Sequence, residues 1–216
     1  RPTEMGEYVG STTFGSANPD TDTFPTSGNE ASIQYYYDGD QAYSGSLTPH
    51  NMQGRISKVS YRDLSVSTST WGYTYYSYNS LGLVEWVVQD LPGLAEKTIE
   101  YTYDELGRMM QMDYQAGESD AFYQRYSYDA LGRIDKVETS TNGSTWIKDA
   151  EYTSYLADGQ VAQMKLANSA IQTVDYTYTV QGWLDKINNP ASIGSDEFAM
   201  DLAYNLNGNI SQQQWR

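Results

Sequence analysis

Apolar and polar residues alternate along much of the chain. In Thr98-Ile99-Glu100-Tyr101-Thr102-Tyr103, one side of a period-two pattern holds Ile99, Tyr101 and Tyr103. The other holds Thr98, Glu100 and Thr102. This is the pattern of a strand with one buried face. Asp104-Glu105-Leu106-Gly107 then predicts a turn, because Asp bonds to nearby backbone N–H groups and Gly accepts positive φ. Alternation restarts in Arg108–Tyr114, with Met110, Met112 and Tyr114 in step. Ile134 and Val137 are both apolar but stand three apart, so the period slips once after the turn. A β-bulge or a late strand start produces such a slip. No stretch shows sustained helical periodicity.

The same phrase recurs. "YTYDELGRMMQM" occupies 101–112 and "YSYDALGRIDKV" occupies 126–137. With the glycine as reference, the phrase is found at Gly54, Gly82, Gly107, Gly132, Gly159, Gly182 and Gly208, spaced by 28, 25, 25, 27, 23 and 26 residues. Four residues before each glycine stand His50, Tyr78, Tyr103, Tyr128, Tyr155, Tyr178 and Tyr204. Two residues after stand Ile56, Val84, Met109, Ile134, Val161, Leu184 and Ile210, all apolar. Five after stand Val59, Val87, Met112, Val137, Met164, Ile187 and Gln213, of which only the last is polar. A phrase repeated at several offsets marks a structural unit. Each unit is two strands and two turns, and a lone hairpin cannot bury its apolar face. The expected fold is therefore all-β, with antiparallel β-hairpin repeats forming one continuous sheet with tyrosine ladders across its strands.

The first unit is irregular. Its tyrosine run, "IQYYYDGD" at 33–40, is separated from Gly54 by the insertion "QAYSGSLTPHNMQ". Residues 1–32 include "GSTTFGSANPDTDTFPTSGNE" and read as an irregular N-terminal linker or loop. Residues 33–216 read as the repeat segment, about seven repeats long. The first residue is Arg1, and the chain stops at Arg216 just after a further repeat begins, so a fragment of a longer chain is expected.

Composition narrows the partners. Lys and Arg number 13 against 28 Asp and Glu, a net charge of −15, which argues against nucleic acid, whose phosphates require clustered cations. The absence of Cys excludes disulfides, thiolate zinc sites and a Cys nucleophile. No apolar run approaches the ~20 residues of a membrane span. Tyrosine, at 21 copies, dominates the aromatic content and suits half-buried strands.

The repeated phrase resembles the YD repeat, Y-x-Y-D-x-x-G-R-hydrophobic, of rearrangement-hotspot (RHS) proteins. Tyr101-Tyr103-Asp104-Gly107-Arg108 and Tyr126-Tyr128-Asp129-Gly132-Arg133 match in full. Tyr76-Tyr78-Asn79-Gly82 and Tyr176-Tyr178-Gly182 match in degenerate form. Tyr155-Gly159 and Tyr204-Gly208 keep only the tyrosine and glycine frame. The resemblance covers about residues 33–216. "YTVQGWLDKINNP" and "AYNLNGNISQQQW" look like the stretch that precedes the RHS core in a bacterial form of the family. It implies a sheet ribbon wound into a spiral shell, a self-cleaving core downstream, and a variable C-terminal toxin inside. The implied partners are the rest of the chain (further repeats, RHS core and C-terminal cargo), with secretion machinery or surface glycans beyond it. The implied location is secreted or at the bacterial cell surface.

His50, the one histidine, lies in the insertion without a nucleophile or carboxylate partner placed by sequence, and reads as a loop residue. Asp104 and Asp129 read as turn-stabilising side chains. One carboxylate per turn is too few for the ~6–8 oxygens of a calcium shell, and Asn79 and Asn205 replace them elsewhere. Asp20 and Asp22 have calcium-loop spacing without the rest of an EF-hand. Arg108 and Arg133 read as structural, pairing with Asp or covering tyrosine rings. Trp71, Trp86, Trp146, Trp183 and Trp215 read mostly as packing, with sugar stacking as the alternative. No catalytic, cofactor or metal residue is selected. The expectation is a non-enzymatic structural segment of a shell that encloses or displays a C-terminal effector. The alternative is a surface adhesin, a repeat module that binds glycan or protein. A weaker third reading is an enzyme with its site on the early insertions.

Overall fold

The computed structural model describes residues 4–8, 29–62, 70–167 and 172–216. These form two compact units, divided between Gly107 and Arg108. The first holds β1 (Glu4–Tyr8), β2 (Asn29–Tyr37), β3 (Ile56–Tyr61), β4 (Gly72–Tyr78), β5 (Val84–Asp90) and β6 (Lys97–Tyr103). The second holds β7 (Met109–Tyr114), β8 (Phe122–Tyr128), β9 (Ile134–Ser140), β10 (Ile147–Tyr155), β11 (Val161–Leu166), β12 (Thr173–Tyr178), β13 (Leu184–Ile187), β14 (Met200–Tyr204) and β15 (Ile210–Trp215). Within each unit every strand lies antiparallel beside its neighbours in sequence. The all-β hairpin architecture expected from the alternation is what the chain adopts. No α-helix occurs among the described residues, so none is long and apolar enough to cross a membrane.

The slip after Gly132 is a bulge. Tyr126 pairs with Val137 and Tyr128 with Ile134, so Asp135 has no opposite residue. Ile134 and Val137 reach the same face although they stand three apart. The same extra residue occurs at Ser57, Glu85, Ala162, Asp185 and Ser211, always three after the glycine. In β7, Met110 holds this position and is exposed, while Met109 is half-buried. Of the expected set Met110, Met112 and Tyr114, Met110 is therefore exposed, while Met112 and Tyr114 are half-buried.

Cross-strand pairs follow the repeat. Tyr35 faces Val59, Tyr76 faces Val87, Tyr126 faces Val137, Tyr152 faces Met164 and Tyr176 faces Ile187. Aromatic and branched pairs of this kind each stabilise a sheet by roughly 0.2–1 kcal/mol. Tyr101 sits on the corresponding strand, beside Ile99, which faces Val87.

Two segments differ from the sequence reading. β1 and the first residues of β2 lie inside 1–32, where a loop or linker was expected, and Met5 pairs with Ile33. The polar, Gly-rich composition of residues 1–32 hid β1 and the start of β2. Asp20 and Asp22 lie outside the described residues. The insertion after Tyr37 is not a free loop: it folds onto the sheet, where Tyr43 and Leu47 pack against Trp86, Val88 and Tyr75. Tyr43 meets Trp86 edge-on, with ring centroids 5.7 Å apart, and donates to Glu96 at 2.9 Å.

Candidate functional site: the interlocked repeat turn

The turn begins from one side chain and one glycine. Asn79 N–H donates to the Leu83 carbonyl and Gly82 N–H to the Asn79 carbonyl, each at 2.9 Å. The Asn79 Oδ1 accepts from the N–H groups of Leu81 and Leu83 at 3.0 Å. This is a three-residue hairpin loop whose last residue is left-handed. Asp129 makes the same pattern with Leu131 and Arg133, and its Oδ2 also receives Arg133 Nε at 2.7 Å. The Arg133 backbone N–H, followed by its side chain, holds the Asp129 carboxyl below its ordinary range. Asp104 Oδ1 accepts from Leu106 at 3.0 Å. One side-chain oxygen does the essential work, which explains why Asn and Asp exchange here.

The repeat glycines take φ between +79° and +91°. At Gly82 a Cβ would lie 2.3 Å from Arg55 Nη2, and at Gly107 one would lie 3.3 Å from Leu83 Cδ1. Arg55 and Leu83, each the residue after a repeat glycine, therefore lie across the glycine of the next hairpin. Gly107→Val is expected to cost on the order of 1–3 kcal/mol through backbone strain and to lower the melting temperature. An unchanged melting temperature contradicts the turn geometry.

The tyrosine four residues before the glycine interlocks the repeats. Its hydroxyl donates to the backbone carbonyl two residues after the preceding glycine. Tyr78 donates to Ile56 at 2.9 Å, Tyr103 to Val84 at 2.8 Å, Tyr128 to Met109 at 2.7 Å, Tyr178 to Val161 at 2.8 Å and Tyr204 to Leu184 at 2.6 Å. Tyr155 donates likewise to Ile134. These carbonyls stand where the bulge disrupts the ladder, so the hydroxyl supplies a partner where the strand pairing is irregular. Burial raises the ionisation of Tyr76, Tyr78, Tyr103, Tyr155, Tyr176 and Tyr178 above the ordinary tyrosine value.

The residue after the glycine completes the contact. Arg108 lies 4.6 Å from the Tyr128 ring centre and Arg133 lies 4.2 Å from that of Tyr155. Arg133 thus combines both expected roles, ion pair and cation–π contact. At Gly182 the place is taken by Trp183, whose ring centre is 5.1 Å from that of Tyr204. The bulge residue carries an acid in alternate hairpins, and each accepts from the hydroxyl between the two tyrosines. Ser77 meets Glu85, Ser127 meets Asp135 at 3.3 Å, and Thr177 meets Asp185 at 3.2 Å.

His50 is not isolated. Its Nδ1 lies 3.1 Å from Glu85 Oε2, and its backbone N–H donates to Ser77 Oγ at 2.7 Å. Serine, histidine and carboxylate thus meet, but Ser77 is fully buried and its hydroxyl is directed to Glu85 at 3.5 Å. The arrangement latches the insertion to the next hairpin. Among the tryptophans, Trp86 is 3 % exposed and Trp215 is 70 % exposed. Trp71 and Trp146 are covered by Arg62 and Arg125 at 4.5 and 4.0 Å. Lys58, not singled out by sequence, is buried with its Nζ 4.6 Å from the ring centres of both Tyr36 and Tyr73. Among the described residues, no group of three His, Cys, Asp or Glu side chains is placed to hold a metal ion.

No family model and no curated protein matches the chain. Solved structures do. The fold is similar to that of a chain in a TcdB2–TccC3–Cdc42 crystal structure, with TM-score 0.61 and 16 % identity, covering 90 % of this chain and 9 % of that one. It is similar also to TcdB2–TccC3 without its hypervariable C-terminal region, with TM-score 0.62, 16 % identity and coverage of 84 % and 9 %. A Photorhabdus luminescens Tc holotoxin pore follows at TM-score 0.52, 17 % identity and coverage of 85 % and 10 %. The chain therefore spans about a tenth of the length of these chains. At such identity the likeness is one of fold.

Proposed function

We propose that the chain is a length of YD-repeat wall from an RHS-like protein, secreted or held at the bacterial surface, whose β-shell encloses or displays a C-terminal effector. The role is mechanical and not catalytic. The observation that carries this reading is the Tyr-to-carbonyl interlock, made by the same two positions at every successive hairpin. A catalytic site needs its constellation once, whereas a wall needs a joint at every step. The fold likeness supports the toxin setting, since one of the similar structures is described as being without a hypervariable C-terminal region. The remaining chain, including further repeats, the RHS core and the cargo, is then the principal partner.

The test is the intact mass and terminal sequences of the native product from its source. A chain much longer than 216 residues, with a cleaved tail that stays bound, is the expected result. A mature product ending near Arg216 would leave too little ribbon to enclose anything and would turn the reading towards surface binding.

A further inference from the structure

Two Asn-Gly dipeptides occur in the chain, Asn142-Gly143 and Asn207-Gly208. An asparagine before glycine is open to a reaction within its own backbone, because the glycine nitrogen reaches the asparagine Cγ with no Cβ in the way. Both dipeptides belong to the second unit, Asn142 between β9 and β10 and Asn207 between β14 and β15. Both asparagines are exposed, and both glycines are left-handed, with φ of +69° and +84°. Access and backbone region therefore do not separate the two sites. Their hydrogen bonds do.

Asn142 is locked. Its Oδ1 accepts from the N–H groups of Ser144 and Thr145 at 2.9 and 2.8 Å and from the Ser140 hydroxyl at 3.1 Å. The attacking group is held as well, since Gly143 N–H donates to Ser140 Oγ at 3.0 Å. Ser140 is 3 % exposed. The Tyr123 ring closes over Gly143, 3.3 Å from where a Cβ would stand. Asn207 is held more loosely. Its Oδ1 accepts from Asn209 N–H at 3.1 Å, and Gly208 N–H donates to the Asn205 carbonyl at 2.9 Å across an exposed turn. The strand that follows, β15, is exposed along its whole length, and β14 is its one neighbour among the described residues. A turn at such an edge opens at low cost compared with a turn fastened to a buried hydroxyl.

We propose that Asn207 is a site of spontaneous covalent modification, converting to aspartate and isoaspartate, and that Ser140 protects Asn142 from the same reaction. Hydroxide takes the Gly208 amide proton, and the nitrogen attacks Asn207 Cγ. The new N–Cγ bond closes a succinimide ring. The Cγ–Nδ2 bond breaks, and the leaving nitrogen takes a proton from water and departs as ammonia, which regenerates the hydroxide. Water then opens the ring. Addition at Cγ gives aspartate, and addition at the backbone carbonyl gives isoaspartate, in which the chain runs through Cβ and Cγ. Water is the only co-reactant. Either product puts a new carboxylate in the turn, and isoaspartate also lengthens its backbone by one carbon, which loosens the β14–β15 hairpin. The site does not depend on the wall reading, since the chemistry belongs to the turn itself.

The test is incubation of the full chain in mildly alkaline buffer, followed by peptide mapping with mass spectrometry and enzymatic detection of isoaspartate. Conversion at Asn207 is expected to be at least about tenfold faster than at Asn142, because several hydrogen bonds must break together before Asn142 can react. In concentrated urea the two rates should converge. Ser140→Ala should speed conversion at Asn142 and leave Asn207 unchanged, and Asn207→Gln should remove the isoaspartate signal of the β14–β15 turn. The urea comparison needs no variant, so it holds even if Ser140→Ala unfolds. Conversion at Asn142 as fast as at Asn207 in the folded chain, no conversion at Asn207, or a rate difference that persists in urea would overturn the proposal.

Discussion

Trp86→Ala is expected to destabilise the first unit by ~3–5 kcal/mol, the range for emptying a large aromatic site in a packed core. Trp86 is 3 % exposed, and it sits with Val88, which is fully buried, beneath Tyr43 and Leu47. These contacts are what attach the insertion after Tyr37 to the sheet. The loss should therefore also release Tyr43 from Glu96, to which it donates at 2.9 Å. Denaturant unfolding measures the first effect, and hydrogen exchange over residues 41–53 measures the second. Trp215→Ala is the control. That side chain is 70 % exposed, and a surface change of this type stays within about 0.5 kcal/mol. Equal effects of the two substitutions would show that the insertion does not close a core.

Alkali is expected to unfold the chain in a steep transition above pH ~10, the unperturbed tyrosine value. Tyr43, Tyr75, Tyr76, Tyr78, Tyr103, Tyr155, Tyr176 and Tyr178 all have ionisation raised above 10.0, with burial as the largest cause. Below that pH each phenol is neutral whether folded or unfolded. Above it the unfolded chain ionises first, the folded state binds more protons, and stability falls as pH rises. Ionisation also removes the proton that Tyr78, Tyr103, Tyr155 and Tyr178 donate to the neighbouring hairpin. Lys58 acts in the opposite sense, since burial lowers its ionisation, but it is one group against many. Phenolate absorbance and the β-sheet circular dichroism signal should change together. Gradual ionisation with the sheet signal intact would show that the tyrosines do not carry the fold.

The period-two alternation and the glycine phrase made the hairpins, the turns and the bulge legible before any coordinates. Local chemistry sets those features: Asn79 or Asp129 closes its own turn, and Ile134 with Val137 records the bulge directly. The interlock was harder to see. A tyrosine at six successive positions is more than a half-buried strand needs, since Phe or Val would fill the face. The invariant hydroxyl was the available sign that a partner waited in the neighbouring repeat. The insertion was illegible for a different reason. Tyr43 and Glu96 are 53 residues apart, and nothing in the periodicity links them. His50 escaped in the same way, because its partners Ser77 and Glu85 belong to the next hairpin.

The hydroxyl interlock is the joint between hairpins, and its removal is the most direct test. In the second unit, Tyr128→Phe, Tyr155→Phe, Tyr178→Phe and Tyr204→Phe together delete the donors and keep the rings. Each lost hydroxyl is expected to cost roughly 0.5–1.5 kcal/mol. The losses should accumulate as a lower melting temperature and as faster amide exchange at the bulges after Ile134, Val161 and Leu184. A quadruple variant that melts and exchanges like the parent chain would show that ring packing alone joins the repeats, and the interlock would be incidental.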